Sequence, residues 1–407
     1  MTAIGDNIQI LFEWRYARGM SRRRASIVVA LAMAIACGHC VNRVDSHGGG
    51  TDCDAGCVGD DLAMTAASPD LAAALPPFVY VSGYSTTIAR YTLDLASGAL
   101  TATGTTSASG SPSFLAVDPS RRHLYAVDEA NSKVEAFAID APTGALAHLG
   151  SDASSGGSGP AHLSVDGSGK WLLVANYGSG DVAVLPIAGD GSVSAGTSLH
   201  AGTNAHQIVV DASDRFAWVP CLGSNYIAQY AFDASAGALT ASAPPTVATP
   251  AGSGPRHLAL HPSRAFAYSI EETASLIATY AVDAGGKLTL AQRQSTRAAG
   301  ATAANTGAEV QVHPSGNFVY VSNRGDDDLG LFAVGSDGKL TPLAHTKTGG
   351  QTPRHFSIDP SGRWLLVANQ GSGDVRVFAI DAATGMLTAA GGPIAATMPS
   401  FVGVVAR

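Results

Sequence analysis

Three residue types that can act together on one small molecule are placed unusually in this chain. The stretch GPRHLALHPSRAFAYSIEE, Gly254 to Glu272, carries Arg256, His257 and His261 near its start and closes on Glu271 and Glu272. Only 14% of the 407 residues are charged, so ionisable groups at both ends of two short apolar runs need a reason. Arg324, after YVSN, and Arg354, after QTP, add two more guanidinium groups. Guanidinium groups bind carboxylates, phosphates and developing oxyanions through paired N–H donors. Carboxylates and imidazoles move protons. Several arginines facing one another are costly unless carboxylates or a ligand compensate, so a site built from them suits an anionic or carbonyl-rich ligand.

These residues meet only if the fold gathers them, and the sequence shows how. Past residue 77 it repeats. Units begin FLAVDPSRRHLYAVDEANSKVEAFAID at Phe114, HLSVDGSGKWLLVANYGSGDVAVLPI at His162 and HQIVVDASDRFAWVPCLGSNYIAQYAFD at His206. Three more start at His257, Glu309 and His355. Each has three apolar runs parted by turn chemistry such as D-P-S-G, then a turn leading to a fourth run. Four short strands per unit of 44 to 52 residues describe a β-propeller blade. The first unit, from Phe78, lacks a first strand, and the final SFVGVVAR matches only a first strand. The expected fold is all-β: a seven-bladed propeller of four-stranded blades, closed by the C-terminal strand joining the N-terminal blade. Val402 and Val404 should then pair beside Val79 to Val81, removing an exposed edge.

In such a meander the start of strand one and the end of strand two lie at the same sheet edge. Arg256 and His257 should therefore share a channel rim with Glu271 and Glu272. The repeats also supply an internal comparison. The strand-one column reads Phe114, His162, His206, His257, Glu309, His355, Phe401. At the end of strand two one column reads Asp128, Asn176, Cys221, Glu271, Asn323, Asn369. Recurrent Asn and Asp there serve turns, so Asn176 and Asn369 are read as structural. The next column, Glu129, Tyr177, Leu222, Glu272, Arg324, Gln370, shares no structural task. Its Glu272 and Arg324 join Arg256 and Arg354 at the mouth. The recurring histidines either pack about the axis or face a ligand.

The motifs GPRHLALHP, AYSIEE, AHQIVVD, YVSNRG and TPRHFSIDPSGRWLLVANQ are similar to those of the seven-bladed propeller lactonases, over roughly residues 78–407. That family includes propeller-type 6-phosphogluconolactonases and fungal carboxy-muconate cyclases. The resemblance implies catalytic roles for His206, Arg256, Glu272 and Arg324; His162, His257, Glu309, Arg354 and His355, at the heads of first strands, are expected to bind substrate beside them. The chain departs from the family pattern at Glu271, at Cys221-Leu222-Gly223 and at Gln311. Opening a lactone needs water attack on an ester carbonyl and support for the oxyanion. Arg256 and Arg324 suit the oxyanion, a carboxylate or a phosphate. His206 or Glu272 would be the base, with the other as acid or orienting group. No G-x-S-x-G elbow occurs in the propeller. No cofactor is expected, and arginines among the histidines disfavour a metal at the mouth. The competing reading is a non-catalytic envelope propeller binding a glycan or protein, which would show aromatic patches on one face.

The remaining sequence bounds location and partners. The formal charge is −8 and no basic cluster lies outside the N-terminus, so nucleic acid is not an expected partner. MSRRRASIVVALAMAIAC, from Met20, has a basic start, a short apolar core and small residues before Cys37. Residues 1–37 are read as an export signal of lipoprotein type, with Met20 as the start and Cys37 lipidated; simple secretion and an uncleaved anchor are the alternatives. Residues 38–77 are a Gly/Asp/Ala/Pro linker without apolar period. Its cysteines complete C-x2-C-x12-C-x3-C, but export favours a local Cys53–Cys57 disulfide over zinc. The expectation is an exported monomer, held at the membrane only through its lipid, acting on a small lactone.

Overall fold

The computed structural model describes residues 75–407. The signal, the linker, Cys37 and the Cys53–Cys57 pair lie outside the described residues. Cys221 is buried and unbridged.

Every regular element described is a β-strand, and the strands form seven antiparallel sheets. Six have four strands. In the seventh, Leu115–Val117, His123–Asp128, Lys133–Ile139 and Leu146–His148 are followed by a two-residue strand, Ala153–Ser154, which also pairs with the third strand. The outer strand of that blade is thus broken in two. Closure follows the expected register: Val79 lies opposite Val404 and Val81 opposite Val402. Pairing the last strand with the first satisfies backbone groups that a linear array would leave open.

Each sheet is buried on both faces because its neighbours pack against it. Val79, Val81 and Val402 from the closing blade join Trp364, Leu366 and Val377 from the preceding one. Tyr268, Ile270 and Ile277 likewise meet Val310, Val319 and Val321 of the next blade. Buried aromatic side chains need a partner for their polar tip, and a recurrent solution appears. Tyr80 Oη donates to the Gly144 carbonyl, Tyr268 Oη to Gly338 and Tyr320 Oη to Gly385, at 2.6–3.0 Å. The accepting residue sits in the outer hairpin turn of the following blade. At Gly338, φ is +76° and a Cβ would lie 2.3 Å from the Phe266 ring, so only glycine fits.

The D-P-S-G turns between first and second strands are held by their aspartate. Asp166 Oδ1 accepts the N–H groups of Lys170 and Trp171, and Asp359 Oδ1 those of Arg363 and Trp364. In HPSR and HPSG a histidine replaces it. Nδ1 of His261 and His313 accepts the N–H of Ser263 and Ser315, and Nε2 donates to the carbonyls of Gly316 and Gly362. His261 therefore belongs to the opposite edge from Arg256 and has a turn-holding task.

Candidate active site

First strands of successive blades adjoin around the axis, and their leading side chains pack against one another there. The His162 ring lies 4.2 Å from Phe114 and 5.6 Å from His257, and His206 lies 5.1 Å from His257. His355 stacks on Phe401 at 4.6 Å. Glu309 is the one carboxylate in this layer. Its Oε2 meets His257 Nδ1 at 2.9 Å and His355 Nε2 at 3.4 Å. All of these side chains are buried except that of Phe114, which is partly so.

Above this layer sits the arginine group. Glu272 Oε2 is 3.0 Å from Arg256 Nε and 3.0 Å from Arg324 Nη2. The Arg256 Nε–H is not aimed at the carboxylate, so that contact is a charge pairing without an aligned hydrogen bond. Arg256 is instead anchored by Nη1, which donates to the Ala308 carbonyl at 2.5 Å, and Arg324 Nη2 also donates to the Gly307 carbonyl. Arg354 stands on the Tyr84 ring and donates to Tyr84 Oη at 2.9 Å. Glu129, Tyr177, His206, Glu272, Arg324 and Arg354 line a cavity of about 190 Å³. A constricted extension reaches Arg256, His257 and His355 below it.

The electrostatics follow from burial. Desolvation is the largest influence on His162, His206 and His257, and it holds each well below the ordinary imidazole range. The Arg256 charge acts in the same direction on all three. His355 is held at about 4, again chiefly by burial, with Glu309 opposing. These imidazoles are neutral at neutral pH. Burial and two like charges, Arg324 and Arg354, push Arg256 down to about 9, leaving it protonated at pH 7. Burial raises Glu309. Several buried polar atoms of this group have no partner among the described residues: His206 Nδ1, His162 Nδ1, His257 Nε2 and Arg324 Nε.

The model of the family described as "Lactonase, 7-bladed beta-propeller" matches residues 78–404. The chain belongs to that lactonase family. A 6-phosphogluconolactonase of Pectobacterium carotovorum is 35% identical over 264 residues, covering 64% of this chain and 78% of its own. One from Serratia proteamaculans is 32% identical over 312 residues, 76% of this chain and 93% of its own. Among solved structures, a periplasmic gluconolactonase of Pseudomonas aeruginosa superposes with a TM-score of 0.76 at 29% identity, covering 81% of this chain and 99% of that one.

The four residues expected to be catalytic, His206, Arg256, Glu272 and Arg324, fall in one contiguous group, and Arg354 completes the cavity wall. The other expected substrate-binding residues sit lower. His257 and His355 reach only the constricted extension, while His162 and Glu309 line neither space. Glu271 departs from expectation. Successive side chains of a strand point to opposite faces, so Glu271 turns into its blade and is fully buried against Arg293, whose Nε lies 3.1 Å from Oε1. Three residues of the cavity region were not assigned to the site from the sequence: Tyr84, Glu129 and Tyr177. Glu129 stands in the same column as Glu272, and Tyr84 occupies that column in the first unit, which a search starting at complete units passes over. Exposed large apolar residues in the described chain are scattered, and Tyr177, 36% exposed, is the one aromatic among them. That pattern gives no support to an aromatic docking face.

Four buried neutral histidines make stability depend on pH in a definite direction. Their folded pKa values lie below the unfolded value of 6.5. The unfolded chain therefore takes up protons first, and stability present above pH 6.5 is lost as pH falls toward the folded values. Glu309, raised in the fold, acts in the opposite sense. At about pH 5 each histidine can cost up to ~2 kcal/mol. Urea midpoints should fall clearly between about pH 7.5 and pH 5; an unchanged or higher midpoint at pH 5 would contradict the burial of these rings as neutral species.

Proposed function

We propose that the chain hydrolyses a small, sugar-derived lactone carrying an anionic group, in the cavity between Glu272, Arg324, Arg354 and His206. The observation that carries this is the pairing of a carboxylate held between two guanidinium groups with a neutral imidazole, His206, that lines the same cavity and whose Nδ1 has no partner among the described residues. Glu272 is committed to Arg256 and Arg324, which leaves His206 to accept the proton of the attacking water. Water oxygen bonds to the ester carbonyl carbon, and the carbonyl oxygen becomes an oxyanion. Arg324, with Arg256 behind it, stabilises that charge. As the carbonyl re-forms, the ring C–O bond breaks, and the leaving alkoxide takes the proton back from the His206 imidazolium. The product is a hydroxy acid, and His206 is again neutral.

Arg354 has a separate task in this reading. Among the described residues no carboxylate lies within ion-pair distance of it, in contrast to Arg256 and Arg324. It therefore presents a cation without a direct ion-pair partner to a cavity whose wall also carries Glu129, and binds a phosphate or carboxylate remote from the lactone carbonyl. Losing a charged hydrogen bond of this kind costs about 1.5–3 kcal/mol, or roughly 10- to 150-fold in affinity. Arg354→Ala should raise KM by that order for phosphorylated or uronic-acid lactones. Gluconolactone itself, which is neutral, should be little affected. Equal effects on charged and neutral lactones would remove Arg354 from substrate recognition, and no hydrolysis of any lactone by the unaltered chain would remove the reading as a whole.

The periplasmic setting of the Pseudomonas relative agrees with the basic-then-apolar segment ending at Cys37 and supports export; the lipid anchor rests on the sequence around Cys37. Export would separate it from cytoplasmic sugar phosphates and favours carboxylated sugar lactones. Cys37→Ala should move the protein from the membrane to the soluble envelope fraction with its Tm unchanged; continued sedimentation with membranes would refute the lipid anchor.

A further inference from the structure

The blade with the broken outer strand holds a second cluster of ionisable groups, away from the axis. Glu135, His148 and Asp152 bring one donor atom each within 4.8 Å of one another. His148 Nε2 lies 2.9 Å from Asp152 Oδ1 and 3.9 Å from Glu135 Oε2. We propose that these three side chains hold a divalent first-row cation, zinc being the best match to one imidazole and two carboxylates, and that the ion clips the broken strand to its blade.

Position in the repeat makes Glu135 anomalous. Strand registers place it opposite Ala126, in a column otherwise occupied by Ala89, Ala183, Ala228, Ala278, Gly330 and Arg376. Small residues suit this site because the neighbouring blade packs close. Arg376 extends to Asp374 and the Gly349 carbonyl. Glu135 is 0% exposed, and its Oε1 has no partner among the described residues. Oε2 accepts the Ser109 N–H at 2.9 Å.

Neither protonation state settles this carboxyl among its protein neighbours. An ionised group is buried with Asp128 and Asp152 raising the local negative potential, and an uncompensated buried charge is costly. A neutral acid needs an acceptor for its proton, and Oε1 has none while Oε2 is already taken by a donor. The fully buried Glu271 shows the alternative: there Arg293 supplies the counter-charge. At Glu135 the one ion-pair partner in the described chain is His148. A cation between the three donors resolves the deficit.

The geometry and chemistry fit. Tetrahedral zinc with ligands near 2.0–2.2 Å spaces its donors about 3–4 Å apart, which small rotamer shifts reach from the distances observed. Calcium prefers oxygen donors alone, whereas an imidazole beside carboxylates suits zinc and its neighbours. His148 is 38% exposed on its side chain, giving an entry path and an open fourth position. The backbone supports the same role. The outer strand stops at His148 and resumes at Ala153, and Asp152 lies at the end of the gap. A shared ion ties both edges of that gap to the third strand.

The test uses the full chain, stripped with chelator and dialysed against zinc alone. The wild type should bind zinc and gain thermal stability. His148→Ala and Asp152→Asn should each bind one equivalent less and lose that stabilisation, while remaining folded because both residues are at least partly exposed. Since the N-terminal cysteines could bind zinc independently, the difference between variants is the readout. The proposal fails if the wild type takes up no zinc, or if His148→Ala and Asp152→Asn bind as much as the wild type.

Discussion

Glu272→Gln should lower kcat/KM by on the order of 10²-fold or more on any lactone the wild type opens, as for removal of a group that positions an oxyanion donor. The substitution keeps the shape and removes one negative charge. Its amide cannot satisfy Arg256 and Arg324 as an anion does, and three guanidinium groups then face one another with less compensation. Repulsion displaces the donors from the position where the oxyanion forms, and small displacements of that kind are expensive in rate. The stability cost should be modest, about 1–3 kcal/mol, because the Glu272 side chain keeps some contact with water. Arg256→Ala should be comparably damaging to activity. It also removes a buried side chain whose Nη1 satisfies the Ala308 carbonyl, so its effect on folding is larger than relief of like-charge repulsion alone suggests. Asn176→Ala is the contrasting case. Its amide donates to the Ser155 carbonyl at 2.9 Å within a buried turn, and its loss should lower Tm while leaving kcat/KM nearly unchanged. Glu272→Gln with kcat/KM within about threefold of wild type, in a folded protein, would take the chemistry away from this cavity.

How far the sequence carries is clearest at adjacent residues. Glu272 was legible because it breaks a column whose members share no structural need, and its neighbour Glu271 was misplaced at the rim by the same reasoning. Strand alternation separates the two side chains, and only the three-dimensional partner, Arg293 on the outer strand, shows where Glu271 goes. Arg324 was legible from its column, and Arg354 from the P-R-H run it shares with Arg256. Glu129 was visible in the right column and was not drawn into the site, because its role depends on which blades face the cavity. The layered burial of the histidines was likewise out of reach. A recurrent histidine at the head of a strand has one sequence signature whether it lines the cavity, as His206 does, or lies beneath it, as His162 does. The closure of the ring, by contrast, was written in the chain ends: a unit lacking a first strand and a lone first strand admit one pairing. The broken outer strand near His148 left no comparable mark, since fourth strands are exposed and vary in length and composition from blade to blade.

Truncation before Pro399 should abolish cooperative folding of the propeller. The strand Pro399–Val405 covers an edge, Phe78–Gly83, whose every residue is buried. Its removal exposes that edge and uncovers Val79, Val81 and the partners of Phe401 and Val402. Four to six large apolar side chains at about 1.5–3 kcal/mol each come to on the order of 10 kcal/mol, comparable to the whole stability of a typical domain. The unpaired edge then offers a template for association with another chain. The site would suffer as well, because Ser400 Oγ donates to the Ser113 carbonyl and the Val402 N–H approaches His355 Nδ1, fixing two neighbours of the axial layer. Val402→Asp in the full-length chain tests the same point without shortening it. A carboxylate at a fully buried position lacking a counter-charge should act in the same direction. Removing Arg407 alone, which stacks on Phe78 at the surface, should be tolerated. Circular dichroism and size-exclusion chromatography give the readout: loss of a sharp thermal transition, with aggregation, for the truncation and for Val402→Asp. A truncated chain that stays monomeric and unfolds cooperatively within about 5 °C of the full-length protein would mean that the ring does not depend on this strand, and that stability resides in each pair of adjacent blades.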